Sequence, residues 1–397
     1  MSPDQQVSNS DVRSKRSSGD PPVHRRPLCP TAMGLQFARR LSRLVDRHGA
    51  RRYVVAAQVL AALGFVLFAA SPALFANPYN GFMLATVIFS SSGGLLELLL
   101  SPIVNAIPGD EKASAMSLLH SFYSWGQLSV VLITTLLLLW WGSQSWIKIM
   151  LLWTILPIIN TWFFARVPLA PTVPEEHRTP LKSLLTSRFF LLVVIGIGLG
   201  GASELVIAQW TSTFMEKALS LPKVVGDVAG VCTFALMMGV GRVLYGKFGS
   251  RINIYTVMAG GSLLATACYL VVIFSPYPLL SLVACALCGF AVSLLWPGSV
   301  SIAANHFPLA GASMFALLAA GGDTGASIGP WMVGLIADRV PAFSSGILMS
   351  MSAEQLGLRA GLLAATVFPL AMFFCVIWLK GRKQSEILLA SAAQPGD

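Results

Sequence analysis

Charge is what this chain has least of. Only 11% of its 397 residues are Asp, Glu, Lys or Arg, against about 25% in an ordinary soluble domain. So few charges cannot cover a globular surface, which excludes a free-standing soluble enzyme and leaves lipid as the solvent. Acid is scarcer than base, with 17 Asp and Glu against 27 Lys and Arg. Cysteine numbers six: Cys29 lies in a polar stretch, and the other five lie in apolar runs. Cys285 and Cys288 form a Cys-x-x-Cys, but no second pair or nearby histidine completes a metal or redox site. They read as small residues packed between helices. Also missing are a Walker loop, a His-x-x-x-His and a Gly-x-Ser-x-Gly at a strand–helix turn. "GVGRVLYG" has glycines but no nucleotide-binding strand before it. ATP-driven work, enzymatic activity, a metal and a cofactor are therefore not expected.

What the chain does have is long apolar runs. "YVVAAQVLAALGFVLFAASPALF" carries no charge from Tyr53 to Phe75, enough to cross ~30 Å of hydrocarbon. Ten spans of this kind are expected, near 53–75, 79–107, 115–141, 146–165, 189–215, 224–246, 255–275, 278–303, 308–337 and 358–379. The first 30 residues are polar and Pro-rich, lack the apolar core of a secretory leader, and are expected to be disordered. With both termini placed in the cytoplasm, 22 of the 27 Lys and Arg fall inside and five outside. That satisfies the positive-inside rule, so the net charge of +10 needs no nucleic acid. The expected organisation is a basic cytoplasmic segment over 1–52, four spans over 53–165, a cytoplasmic linker over 166–188, six spans over 189–380 and a tail over 381–397.

The chain echoes itself. "LVDRHGARR" at 44–52 resembles "LYGKFGSRI" at 244–252, pairing Arg47 with Lys247, Gly49 with Gly249 and Arg51 with Arg251. "SPIVNAIPGDEKASAMSLLHSFYSWG" resembles "WPGSVSIAANHFPLAGASMFALLAAGGDTG", pairing Pro102 with Pro297 and Met116 with Met314. Same-sense repeats of a multi-span unit mark transporters built from two related halves. The first half is two spans short of the second, and residues 31–45 read as a short amphipathic surface helix.

These loops and repeats resemble the major facilitator superfamily, and within it the fucose-permease-like sugar:proton symporters. "DRHGARR" and "GRVLYGKFGSR" look like the two copies of that family's Asp-Arg-x-Gly-Arg-Arg/Lys loop. Glu97, followed by Ser101-Pro102, is similar to the family's helix-four Glu with Asn-Pro four residues on. His120, Tyr123 and Gly126 stand where the family has Gln-x-x-Asn-x-x-Gly. The resemblance covers roughly 40–380. It implies an all-α membrane protein, a two-half bundle of about ten helices with the first two of twelve missing. It also implies gating loops at Asp46, Arg47, Gly49, Arg51, Arg242, Lys247 and Arg251.

Three acids lie deep in spans: Glu97, Glu204 and Asp323. A charge at the middle of a membrane helix costs ~2.5–3.5 kcal/mol on insertion scales. A carboxylic acid lowers that cost by holding its proton, which suits it to carrying one across. These acids and His120, placed well inside a span, are the proton-coupling candidates. Each has an ordinary alternative as a hydrogen-bonded packing residue. Gly93 and Gly94, one turn before Glu97, read as permitting a close helix approach or a local distortion. Asp227 lies near a span end, where water is expected. Ser101, Tyr123, Trp125, Gln209, Trp210 and Trp296 are cavity candidates, polar or able to stack on a sugar ring.

The expected function is secondary active transport of a small polar solute, sugars included, coupled to protons by alternating access. The partners are that solute, protons and a lipid bilayer, in a monomer of the plasma (inner) membrane. Two alternatives stand beside it: a truncated, non-transporting membrane protein, and an efflux antiporter for amphipathic compounds.

Overall fold

The computed structural model describes residues 49–169, 179, 181–343 and 352–392. Among them every regular element is a helix. The first group holds α1 (Ala50–Leu74), α2 (Pro78–Ala106), α3 (Lys112–Trp141), α4 (Trp146–Trp153) and α5 (Ile155–Phe164). The second begins with the short α6 (Leu181–Thr186) and the long α7 (Arg188–Leu219). A π-helical segment, Gly226–Cys232, leads into α8 (Thr233–Phe248). There follow α9 (Ile254–Phe274), α10 (Pro278–Val292), α11 (Leu295–His306), α12 (Gly311–Phe343), α13 (Ala353–Ala365) and α14 (Val367–Ala392).

Nine helical segments among the described residues are long and apolar enough to cross a membrane, with α4–α5, α10–α11 and α13–α14 each counted as one. They match nine of the expected spans. The tenth, 308–337, is α12, a single helix of 33 residues. Its Gly321-Gly322-Asp323-Thr324-Gly325 centre makes it less apolar, and it runs along α7. The disorder expected over 1–30, the surface helix over 31–45, and Asp46 and Arg47 lie outside the described residues.

Local chemistry sets the boundaries. Asn77 caps α2 by accepting the Tyr79 N–H at 3.0 Å, with Pro78 at the first helical position. Asn253 caps α9 in the same way. Ser352 and Gln355 form a reciprocal capping box at α13. Proline explains three breaks, because it lacks an N–H and its ring crowds the carbonyl four residues back. Pro157 breaks the helix at Trp153–Thr154, Pro297 at Ser293–Leu294 and Pro369 at Ala365–Thr366.

The packed core lies in the second group. There 61% of the apolar window of α7 is buried, against 11% of that of α3. The first group's own buried cluster is Val54, Leu99 and Ile103. In lipid an apolar side chain gains nothing by leaving the solvent, so small residues and shape hold the helices together. Glycines do this between α7 and α12. A Cβ at Gly325 would sit 2.7 Å from the Gly198 Cα, and one at Gly201 would sit 2.6 Å from the Gly322 carbonyl oxygen. Backbone cannot swing aside as a side chain does. Gly325→Val is therefore expected to cost the upper end of ~1–3 kcal/mol or more. Its folded yield in detergent should fall sharply, while Gly93→Val, where nothing lies within 4 Å, should leave yield unchanged.

The two groups meet along α3–α8 and α2–α12. At one end the repeated segments face each other: Pro102, Asn105 and Lys112 line the same cleft as Ala304, Asn305 and Met314.

Candidate functional site

The site centres on Arg242, the largest fully buried side chain among the described residues. The resemblance implied a gating-loop arginine. The structure instead places it within α8, at 2% exposure. Its Nη2 donates to Glu204 Oε2 on α7 at 2.8 Å, a salt bridge closed to solvent. Its Nε donates to the Ser293 carbonyl at 2.9 Å. That carbonyl is free because Pro297, four residues on, has no N–H to give it. Nη1 reaches the other group, donating to the His120 carbonyl and to Ser124 Oγ, both at 3.0 Å. Ser117 Oγ closes the joint by donating to the Arg242 carbonyl at 2.8 Å. Three hydrogen bonds between the groups therefore have Arg242 at one end. Small residues bring α3 and α8 this close: a Cβ at Gly239 would lie 3.2 Å from the Trp125 ring.

Around this joint stand the other expected acids. Glu97, half-buried on α2, has no hydrogen bond or ion pair among the described residues and feels the charges of Asp323 and Glu204. Asp323 on α12 is exposed and likewise unpaired. Tyr123 lies within electrostatic reach of Glu97, Glu204, Arg242 and Asp323. Its ring centroid is 5.7 Å from the Arg242 guanidinium carbon. His120 Nε2 is buried without a hydrogen-bond partner among the described residues. Glu97, His120, Glu204 and Asp323 thus come from four different helices: His120 and Glu204 meet the Arg242 guanidinium, and Glu97 feels the charges of Glu204 and Asp323.

The cavity candidates divide. Tyr123 and Gln209 are exposed. Trp210 donates its Nε1–H to the Pro330 carbonyl at 3.0 Å and lines an open cleft with Gln209 and Ser327. Trp296, 8% exposed, packs against Gly201 and Gly322 and supports the α7–α12 crossing. Ser101 is buried and Trp125 is wedged against Gly239. Gly93 and Gly94 face open space, so they permit no close approach beside Glu97. Asp227, near the start of its span, is partly exposed and also held: Ser212 Oγ donates to it at 2.5 Å and Lys223 lies 3.6 Å away.

Of the loop residues, Arg51 donates from Nη2 to the Val167 carbonyl at 2.9 Å, clipping the start of α1 to the chain leaving α5. Gly49 has a positive φ of 78° just before α1. Lys247 lies over the Phe248 ring, and Arg251 ends the turn after α8. The sequence reading passed over Ser117, Ser124 and Ser293. Two signals point to them: the Ser117–Ser121–Ser124 stripe on one helix face, and Pro297 four residues past Ser293.

The model of the major facilitator superfamily matches residues 41–330. The chain belongs to that superfamily. No curated protein sequence matches it. Among solved structures of this fold, the E. coli fucose:proton symporter superposes with a TM-score of 0.66 at 16% identity, covering 88% of this chain and 90% of that one. A proton:xylose symporter gives 0.63 at 13%, covering 85% and 83%. The human organic anion transporter gives 0.62 at 14%, covering 86% and 81%. At such identities the likeness is one of fold. This superfamily member is an integral membrane protein with a transporter fold.

Proposed function

We propose that this chain is a secondary active transporter that moves a small polar solute, sugars first among the candidates, together with protons. The four-span group and the six-span group are the two bodies that rock, and the site lies between them. One observation carries this reading. Two carboxylates without a partner among the described residues, Glu97 and Asp323, belong to different groups, and Glu97 feels the charges of Asp323 and of Glu204, whose pairing with Arg242 forms the joint that ties those groups together. A carboxylate withdrawn from water is costly when charged and cheap when protonated. A change in water access at Glu97 therefore loads or unloads a proton, which is what coupling requires. The solved symporters for fucose and xylose share the fold and support a sugar as the solute class.

Uptake into proteoliposomes tests it. With an imposed proton gradient, at least one sugar or polyol of a panel is expected to accumulate above its equilibrium level, and dissipating the gradient should abolish that accumulation. Equal uptake with and without the gradient sinks the coupling claim.

A further inference from the structure

Arg242 is the guanidinium at the centre of the proposed site, and it is already occupied. A guanidinium has five N–H donors in a planar fork. Four are committed here: one to Glu204, one to Ser293, and two to His120 and Ser124. Glu204 Oε2 sits where the carboxylate of a bound anion would sit, since arginine is the usual partner of that group. The other charged groups around the joint, Glu97 and Asp323, are acids without a cation partner among the described residues. An anionic solute would meet these acids, while the guanidinium is 2% exposed with one donor left. A hydroxylated neutral solute would meet acceptors at Glu97 and Asp323 and the exposed face of Tyr123.

We propose that Glu204 is a specificity-determining residue: by occupying Arg242 it closes the site to carboxylate-bearing solutes and reserves it for uncharged ones. This rests on the transport reading above. It also separates the chain from the organic anion transporter that shares its fold.

Binding to the full chain in nanodiscs tests it, using paired probes: D-galactose with D-galacturonate, D-glucose with D-glucuronate, and glycerol with glycerate. At least one neutral probe is expected to bind tenfold or more tightly than its acid. In Glu204→Gln, Arg242 loses its internal counter-ion, and the ratio should shift at least tenfold toward the acid. In Glu204→Gln/Arg242→Gln the cation is gone as well, and the preference for the neutral form should return. A purely structural role for the pair would not produce that reversal. An acid that binds the unaltered protein as tightly as its neutral partner overturns the selectivity alone, even if the variants fail to fold. An unshifted ratio in a folded Glu204→Gln does the same. If neither form of any pair binds, the transport reading for sugars and polyols fails, and the selectivity with it.

Discussion

Arg242→Ala is expected to destabilise the protein by about 3–5 kcal/mol, the usual cost of removing one partner from a buried ion pair. The side chains of Arg242 and Glu204 are 2% and 5% exposed, so water cannot compensate the carboxylate left behind. The loss also frees the Ser293 and His120 carbonyls and Ser124 Oγ, each a buried acceptor or hydroxyl that had a donor. The same change removes cross-links between the groups, so the joint loosens as well as weakens. Glu204→Gln/Arg242→Gln should recover a good part of the loss, because two amides replace two charges in the same space. Thermal unfolding of the purified protein reads both effects. A single variant within about 1 kcal/mol of the parent would mean that the pair is wet or broken in the membrane.

Glu97→Gln is expected to have the largest functional effect. The amide keeps the shape and hydrogen-bonding capacity of the protonated acid but cannot release a proton. Proton-driven accumulation should fall at least tenfold, while exchange of labelled for unlabelled solute across the membrane survives. The variant should fold normally, because Glu97 makes no hydrogen bond or ion pair with a described residue. Accumulation at the parent level would remove Glu97 from the coupling step and leave Asp323 as the candidate.

The spans were legible because lipid imposes a coarse rule: a run of apolar residues long enough to cross, with few charges. The prolines were legible only in part. They announce breaks, yet that Pro297 hands the Ser293 carbonyl to Arg242 depends on a fold that brings α8 beside that break. Glu204 and Arg242 lie 38 residues apart, and no periodicity ties them together. The sequence left Glu204 open between a proton site and a hydrogen-bonded packing residue and placed Arg242 in a gating loop, without joining the two groups that neutralise each other. Glycine misled in the other direction. Gly93 and Gly94 stand beside the most conspicuous acid but touch nothing, whereas Gly325, two residues past Asp323, meets Gly198 at the closest helix crossing. A glycine's role is written on its neighbour, and the neighbour is distant in sequence.

The most direct measurement follows the pH inside sealed proteoliposomes when a transported solute is added outside, with no proton gradient imposed. Proton-coupled alternating access through Glu97 predicts that inward solute movement carries protons with it and acidifies the lumen. It also predicts that Glu97→Gln abolishes this signal while solute exchange continues. Solute entry with no pH change in the parent protein, or an unchanged acidification in Glu97→Gln, would contradict the account.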